Sequence, residues 1–286
     1  MMQVQWYPGH MTKAKRIMLE DIKLIDLVIE LIDSRVPLSS RNPDIDEIAK
    51  GKSRLVLLNK SDLADPCKNE EWIDYFNKKD MIALLVDSKS RNGFSPINKS
   101  IEEACKAKIE RNRQRGIINR PVRAMVVGIP NVGKSTFINS MCKKASAKTG
   151  NKPGVTKGKQ WINLNKNVEL LDTPGILWPR FDDEKTGMHL AFIGSINDEI
   201  IDETQLAMEL MEYIVKLYPG ALYKRYEVDE GQKTDVILND IALKRGCLKK
   251  GNEPDYSKAA NIILDDFRSG RLGRITLEEP VYSERK

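Results

Sequence analysis

The order of two short loops constrains this chain more than any other feature of its 286 residues. Gly128-Ile129-Pro130-Asn131-Val132-Gly133-Lys134-Ser135 spells G-x-x-x-x-G-K-S, a loop whose backbone N–H groups surround phosphate at the start of a helix. Such a loop needs a buried strand before it and a helix after it. Val122–Val127 is an apolar β-type run, and a helix is expected from Lys134. A second loop, Asn59-Lys60-Ser61-Asp62, stands well upstream and directly follows the apolar run Arg54–Asn59. The fold therefore has to bring an early strand and a late one into the same sheet.

Further β-type runs are Leu27–Asp33, Met81–Val86, Gln160–Leu164 and Val168–Leu171, alternating with helical patterns as far as residue 175. Near-continuous apolar strands joined by helical crossovers predict a mainly parallel six-stranded sheet covered on both faces. Ligands bind such sheets beyond the carboxyl ends of the strands, where each motif sits. After about residue 180 the strand pattern stops. Asp202–Leu217 carries Leu206, Leu210, Ile214 and Leu217 at helical spacing, and Pro219-Gly220 ends it. Thr234–Lys244 and Tyr256–Arg268 read as further helices. The expected organisation is an α/β domain over residues 1–180 and a small all-α domain over 181–286.

The loops specify a nucleotide. Backbone N–H groups of Asn131, Val132, Gly133, Lys134, Ser135 and Thr136 are placed to surround phosphates. Gly133 admits close approach, Lys134 reaches the β and γ oxygens, and Ser135 offers a hydroxyl to Mg²⁺. Asp172-Thr173-Pro174-Gly175 reads D-x-x-G, with Asp172 on Mg²⁺ through water and the Gly175 N–H as γ-phosphate sensor. Thr156, in Pro153-Gly154-Val155-Thr156, is either a switch hydroxyl on Mg²⁺ or part of a surface loop. The Asp62 carboxylate accepts from guanine N1–H and the N2 amine, which adenine lacks. A mismatch of this kind discriminates by about 10⁴ or more. Lys60 is expected along the base plane, with Asn59 and Ser61 beside it and Asn59 bracing the loops. Asp87-Ser88-Lys89-Ser90 is either a second base loop, with a backbone N–H on guanine O6, or an unremarkable turn.

In GTPases the phosphate loop precedes N-K-x-D, and here that order is reversed. The series base loop, second base loop, phosphate loop, switch threonine and D-x-x-G resembles the circularly permuted GTPases. Trp6-Tyr7-Pro8-Gly9-His10-Met11 and Asp33-Ser34-Arg35-Val36-Pro37 resemble the YlqF/RbgA branch, the ribosome biogenesis GTPase A family. The resemblance covers nearly the whole chain. Over the C-terminal part it rests on the helix pattern and on Leu217-Tyr218-Pro219-Gly220. It implies a circularly permuted Ras-like P-loop G domain followed by a helical domain that contacts ribosomal RNA. It implies a bacterial cytoplasmic GTPase that binds the large ribosomal subunit late in assembly. Ras-like enzymes orient the attacking water with a Gln after D-x-x-G; Ile176 holds that position here and cannot. Slow intrinsic hydrolysis is expected. The resemblance implies His10 as the water-positioning residue, against a structural or RNA-facing role. A K⁺ ion at Asn131, as in potassium-stimulated GTPases, is the other candidate. The stretch from Ile101 to Arg120, helical and then basic at Arg111, Arg113, Arg115 and Arg120, is the linker a permutation requires.

A net charge of +6 favours an anionic partner. Lys224, Arg225, Lys244, Arg245, Lys249, Lys250, Arg268, Arg271 and Arg274 either contact RNA phosphates or form a solvated surface. Four scattered cysteines without a C-x-x-C disfavour zinc and a disulfide framework, and fit a reducing cytosol. No apolar run is long enough for a membrane span, and the N-terminus lacks a signal-peptide core. His189 receives no role, and a monomer is expected. Two readings compete with the switch. One is an RNA- or ribosome-binding scaffold with GTP as a structural ligand; the other is a GTPase acting on tRNA or a membrane.

Overall fold

A computed structural model describes residues 16–117, 120–142, 160–172, 184–196 and 202–281. β1 (Leu27–Asp33) is buried along its whole length: its leucines, isoleucines and valine fill both faces, and its two acids are covered by cations, Glu30 by Arg41 and Arg54 and Asp33 by Arg35. It lies between β2 (Ser53–Asn59) and β4 (Val122–Val127) and is parallel to both. The sheet runs β3-β2-β1-β4-β6-β5, where β3 is Ile82–Leu85, β5 is Gln160–Asn165 and β6 is Val168–Asp172. Only the β5–β6 pair is antiparallel. β1 connects outward to β2 and β3, whereas β4 connects the other way to β6 and β5. This reversal opens a crevice at the carboxyl ends of β1 and β4, the place where doubly wound sheets bind ligands.

Alternate side chains along each strand enter opposite cores. Leu27, Ile29, Leu31, Leu55, Leu57, Ala124 and Val126 pack on one face, while Val28, Met125 and Val127 pack on the other. α1 (Asp44–Ile48), α2 (Pro66–Asn77), α3 (Ile97–Ala104), α4 (Lys106–Gln114) and α5 (Lys134–Cys142) connect the strands. α2 begins where Asp65 accepts from the Cys67 N–H at 2.9 Å with Pro66 at the first turn, a cap worth about 1 kcal/mol. α5 opens at Lys134, as the phosphate-loop motif requires.

The helical part contains α6 (Glu184–Phe192), α7 (Glu203–Leu217), α8 (Ala221–Tyr226), α9 (Thr234–Lys244) and α10 (Tyr256–Arg268). Asp202 caps α7 by accepting from the Thr204 and Gln205 N–H groups at 2.9 and 3.2 Å. Leu206, Leu210 and Ile214 face the core, and Gly220 at φ +91° turns the chain into α8. The core below the sheet continues unbroken into this part through Leu190, Phe192, Leu210, Ile263 and Phe267. After α10 the chain is irregular: residues 275–281 form neither helix nor strand. Their backbone bonds go elsewhere in the fold. The Ile275 N–H donates to Leu63 O at 3.0 Å and the Leu277 N–H to Arg35 O at 2.8 Å. The chain's end is thereby a strap laid across the loops after β1 and β2.

Candidate nucleotide site

The register of the sheet brings the loops together before any side chain is considered. Asp33 and Asn59 end β1 and β2 side by side, and Asp172 ends β6 opposite Val126 of β4. Gly128 follows β4 by one residue, so four loops rise from adjacent strand ends.

Asn59 ties its own loop to the phosphate loop and to the loop after β3 with one buried carboxamide. Its Nδ2 donates to Val132 O at 2.7 Å, and its Oδ1 accepts from the Ser88 N–H at 3.1 Å and Ser88 Oγ at 2.8 Å. Gly133 lies against it at φ +103°, where a Cβ would stand 2.5 Å from Asn59 Nδ2. Lys60 adopts φ +59°, which costs a non-glycine residue about 1–2 kcal/mol. It is held there by its ammonium, which donates to Asn131 O at 2.9 Å and pairs with Asp33 Oδ2 at 2.9 Å. The phosphate loop folds under its own lysine: Lys134 Nζ donates to the Gly128 and Ile129 carbonyls at 3.1 and 3.0 Å.

Asp33 is fully buried and held in a fork by Arg35, Nε to Oδ1 at 2.8 Å and Nη2 to Oδ2 at 2.7 Å. Burial alone would raise its carboxyl, but Arg35 and Lys60 hold it well below the usual range. Burial pushes the Lys60 ammonium down in spite of Asp33. At the mouth of the crevice, partial desolvation first and the Asp87 carboxylate second push Asp62 above the usual carboxylate range.

The loop after β3 braces the others. Ser88 donates to Asn59, the Lys89 N–H donates to Asp87 Oδ1 at 2.8 Å, and the Arg91 N–H donates to Asp87 O at 2.8 Å. Ser90 also donates to the Asp87 carboxylate, which holds that group low against the effect of burial. The backbone N–H groups of Ser88, Lys89 and Arg91 all have partners within the protein. Asp87 and Ser88 support the base loop, and Ser140 Oγ donates to Ser88 O at 2.6 Å to fix it on α5.

The helical part grips both halves of the crevice. Asn131 Nδ2 donates to Gly194 O at 2.7 Å, and Ser195 Oγ donates to Pro130 O at 2.9 Å, so the end of α6 clasps the phosphate loop. Arg268 of α10 anchors that clasp on the Phe192 and Ala191 carbonyls at 3.0 and 2.8 Å. The strap holds the base loop: Arg274 donates to Ala64 O and Ser61 O, both at 2.9 Å, and Thr276 Oγ1 accepts from the Asp65 N–H at 3.1 Å.

A family model described as "50S ribosome-binding GTPase" matches residues 123–239. The protein called ribosome biogenesis GTPase A in Priestia megaterium is 46% identical over 285 residues, which is 99% of this chain and 99% of its own. Its namesake in Thermotoga maritima is 31% identical over 277 residues, 97% of this chain and 95% of its own. The chain belongs to the ribosome biogenesis GTPase A family. Two solved structures of T. maritima YlqF, one GDP-bound and one GNP-bound by their descriptions, superpose with TM-scores of 0.67 and 0.68 at 26% and 27% identity. They cover 93% and 94% of this chain, and 99% and 98% of their own. The strand order fits this GTPase family in permuted form: rejoining the chain so that β4 comes first gives the ordinary second-third-first-fourth-fifth-sixth sheet.

Several residues read from the sequence as parts of this GTPase site lie outside the described residues: His10, Thr156, Gly175 and Ile176. The structure brings Asn59, Lys60, Ser61, Asp62, Asn131, Val132, Gly133, Lys134, Ser135 and Thr136 to one crevice, with the backbone of Asp172 one strand away. Sequence reasoning missed the buried Asp33–Arg35 pair, the clasp at Gly194-Ser195 and the strap. Only Asp33-Ser34-Arg35 carried a signal, an acid and a base two residues apart at a strand end. His189, left without a role, is fully buried, and its Nδ1 lies 2.9 Å from Glu278 Oε1 and 3.1 Å from Ser39 Oγ. It fastens the strap to α6. Six of the nine cationic residues singled out for RNA make bonds inside the protein. Arg225 and Arg271 pair with Asp266, Lys244 and Arg245 donate to the Glu227 and Arg225 carbonyls, and Arg268 and Arg274 act as described. Lys224, Lys249 and Lys250 remain exposed.

Proposed function

We propose that this chain binds GTP with Mg²⁺ in the crevice, hydrolyses it slowly to GDP and phosphate, and uses the nucleotide state as a switch late in assembly of the large ribosomal subunit. The reading places it in the bacterial cytoplasm as a monomer that contacts ribosomal RNA. The observation that carries it is the Asn59 carboxamide, which joins the N-K-S-D loop to the phosphate loop at 2.7 Å and makes one pocket of two distant motifs. The nucleotide-bound descriptions of the T. maritima relatives support it. No helix among the described residues is long and apolar enough to cross a membrane.

Within the pocket, Asp62 selects guanine by its carboxylate, and the N–H groups of Asn131 to Thr136 receive the phosphates at the start of α5. Ser135, Thr156 and Asp172 fit Mg²⁺, since hydroxyl and carboxylate oxygens are the hard donors it takes and Ser135 and Asp172 rise from neighbouring strand ends. When bound, Mg²⁺ neutralises charge between the β and γ oxygens. Lys134 adds charge at the same oxygens. Two candidates complete the chemistry, His10 orienting the attacking water or a K⁺ ion that would be held at Asn131; if it is His10, His10→Ala should slow stimulated hydrolysis while GTP affinity stays near normal, and weakened GTP binding would mark His10 as structural.

The test is GTP hydrolysis in potassium buffer with and without purified large subunits, with small subunits and tRNA as controls. Stimulation by large subunits alone is expected. Loss of nucleotide binding in Lys134→Ala, and of guanine preference in Asp62→Asn, should accompany it. Ile176, which cannot hydrogen-bond water, favours one other reading: no stimulation by any particle would leave GTP as a structural ligand of an RNA-binding scaffold.

A further inference from the structure

We propose that α4 and its flanks form a second RNA-binding face, at the end of the sheet opposite the nucleotide, that grips the phosphate backbone of ribosomal RNA. The inference rests on the ribosomal reading above. Residues 106–123 carry seven basic side chains against one acidic one, Glu110, a local excess equal to the +6 of the whole chain. A permuted domain needs some connection between α3 and β4, and this one touches the core through the partly buried Ile109. α4 buries no residue fully.

The charges divide into two groups. Lys108 and Arg120 pair with the buried Asp26 at the start of β1, and Arg123 pairs with Glu169 at 3.1 Å. These hold the segment to the sheet. Lys106, Arg111, Arg113 and Arg115 are exposed and make no side-chain hydrogen bond or ion pair within the described residues. Glu102, Glu103 and Glu110 line a cleft of about 760 Å³ beside Lys106 and Arg113, while Arg111 and Arg115 stand clear of it. The Arg123 guanidinium lies 5.2 Å from the ring of Trp161, itself 39% exposed. Arg123 and Trp161 lie on the other face of the sheet from Ile109 of α4 and stay outside this surface. Four cations free of partners among the described residues, on an exposed helix, suit a nucleic acid, whose phosphates are closely spaced along its backbone.

β4 separates this face from the phosphate loop by roughly 20 Å, six residues at about 3.3 Å each. Substitutions here can therefore be read apart from nucleotide binding. The test compares wild type with Lys106→Ala/Arg111→Ala/Arg113→Ala/Arg115→Ala in binding to purified large subunits, and to their deproteinised RNA, across a salt series. Lys249→Ala/Lys250→Ala on the helical part serves as a control for cation removal elsewhere. The fourfold variant should keep wild-type GTP affinity and subunit-free hydrolysis. Its log-affinity against log-salt slope should fall in magnitude by about 3, and its affinity by roughly tenfold or more near 0.1 M salt, on both targets. An unchanged slope, with wild type binding normally, overturns this inference and leaves the ribosomal reading standing. A loss on intact subunits but not on their RNA overturns it in favour of a protein partner. Failure of wild type to bind either target overturns the ribosomal reading itself.

Discussion

The Arg274 guanidinium donates to the Ser61 carbonyl at 2.9 Å, joining residues 213 positions apart in the chain. Through this bond the strap after α10 holds the loop proposed to read guanine. Thr276 and Tyr218 extend the grip: the Tyr218 hydroxyl donates to Asp65 Oδ2, or to Thr276 O, each at 3.1 Å, and accepts from the Thr276 N–H at 3.0 Å. Whatever displaces the helical part also loosens the base loop. By linkage, nucleotide and partner must then influence each other's affinity equally.

Arg274→Ala should therefore weaken nucleotide binding without touching the nucleotide. Two hydrogen bonds from a charged donor, to Ala64 O and Ser61 O, are lost, and each such bond contributes about 1.5–3 kcal/mol when well made. Part of that is recovered by water at a half-exposed site, so a five- to twentyfold rise in the GDP dissociation constant is expected. Fluorescent-nucleotide titration reads it, with circular dichroism confirming that the helices persist. Unchanged affinity would remove the strap from the account of the site.

Asn59 and Ser88 should behave as one unit. Asn59→Ala breaks the link to Val132 and strands the Ser88 donors; Ser88→Ala leaves the Val132 bond intact. We expect Asn59→Ala to lower GTP affinity by about 100-fold and Ser88→Ala by about fivefold, with the double variant no worse than Asn59→Ala alone. Residues in one hydrogen-bond network show such non-additivity, on the order of 0.5–3 kcal/mol. Additive losses would mean that the loop after β3 acts on the nucleotide independently.

The split between what the sequence disclosed and what it hid follows the range of the interactions. Strands, helices α7, α9 and α10, and the phosphate loop were legible because apolar period and local glycine chemistry specify them. Thr234–Lys244 and Tyr256–Arg268 were placed to the residue. The pocket was legible from motif spelling, since each loop's chemistry is local to a few residues. The clasp of Gly194-Ser195 on the phosphate loop and the strap across Ser61–Asp65 were not. They consist of backbone carbonyls accepting from distant side chains, and any residue can offer a carbonyl. The nine cations of the helical part looked alike in sequence, yet Arg225 and Arg271 share the buried Asp266 while Lys249 and Lys250 are exposed.

Gly133→Ala tests the closeness of the two loops. At φ +103° an L-residue is strained, and the new Cβ would lie 2.5 Å from Asn59 Nδ2. Strain of this kind costs about 1–3 kcal/mol, to which the lost Asn59–Val132 bond adds. Nucleotide binding should vanish at micromolar protein while the thermal midpoint falls by only a few degrees. As a comparison, Gly251→Ala has a similar φ of +94° but open space around the added methyl. It should leave binding intact; equal damage from both would show that backbone strain, and not contact with Asn59, governs the loop.

Asp33→Asn addresses pH. The folded-state carboxyl is depressed by Arg35 and Lys60, so its contribution to stability is fully present above the unfolded value of 3.8 and is lost as pH falls below it. In the variant Arg35 and Lys60 remain buried without their counter-charge. Breaking a buried pair in this way costs about 3–5 kcal/mol near neutral pH. Urea unfolding at pH 7, 5.5, 4 and 3 should show a wide gap between wild type and variant down to about pH 4, narrowing below it as the unfolded wild-type chain takes up a proton at this carboxyl that the native state still excludes. No gap at pH 7 would mean that the charge of Asp33 contributes nothing beyond its shape, because the asparagine keeps nearly that shape and lacks the charge.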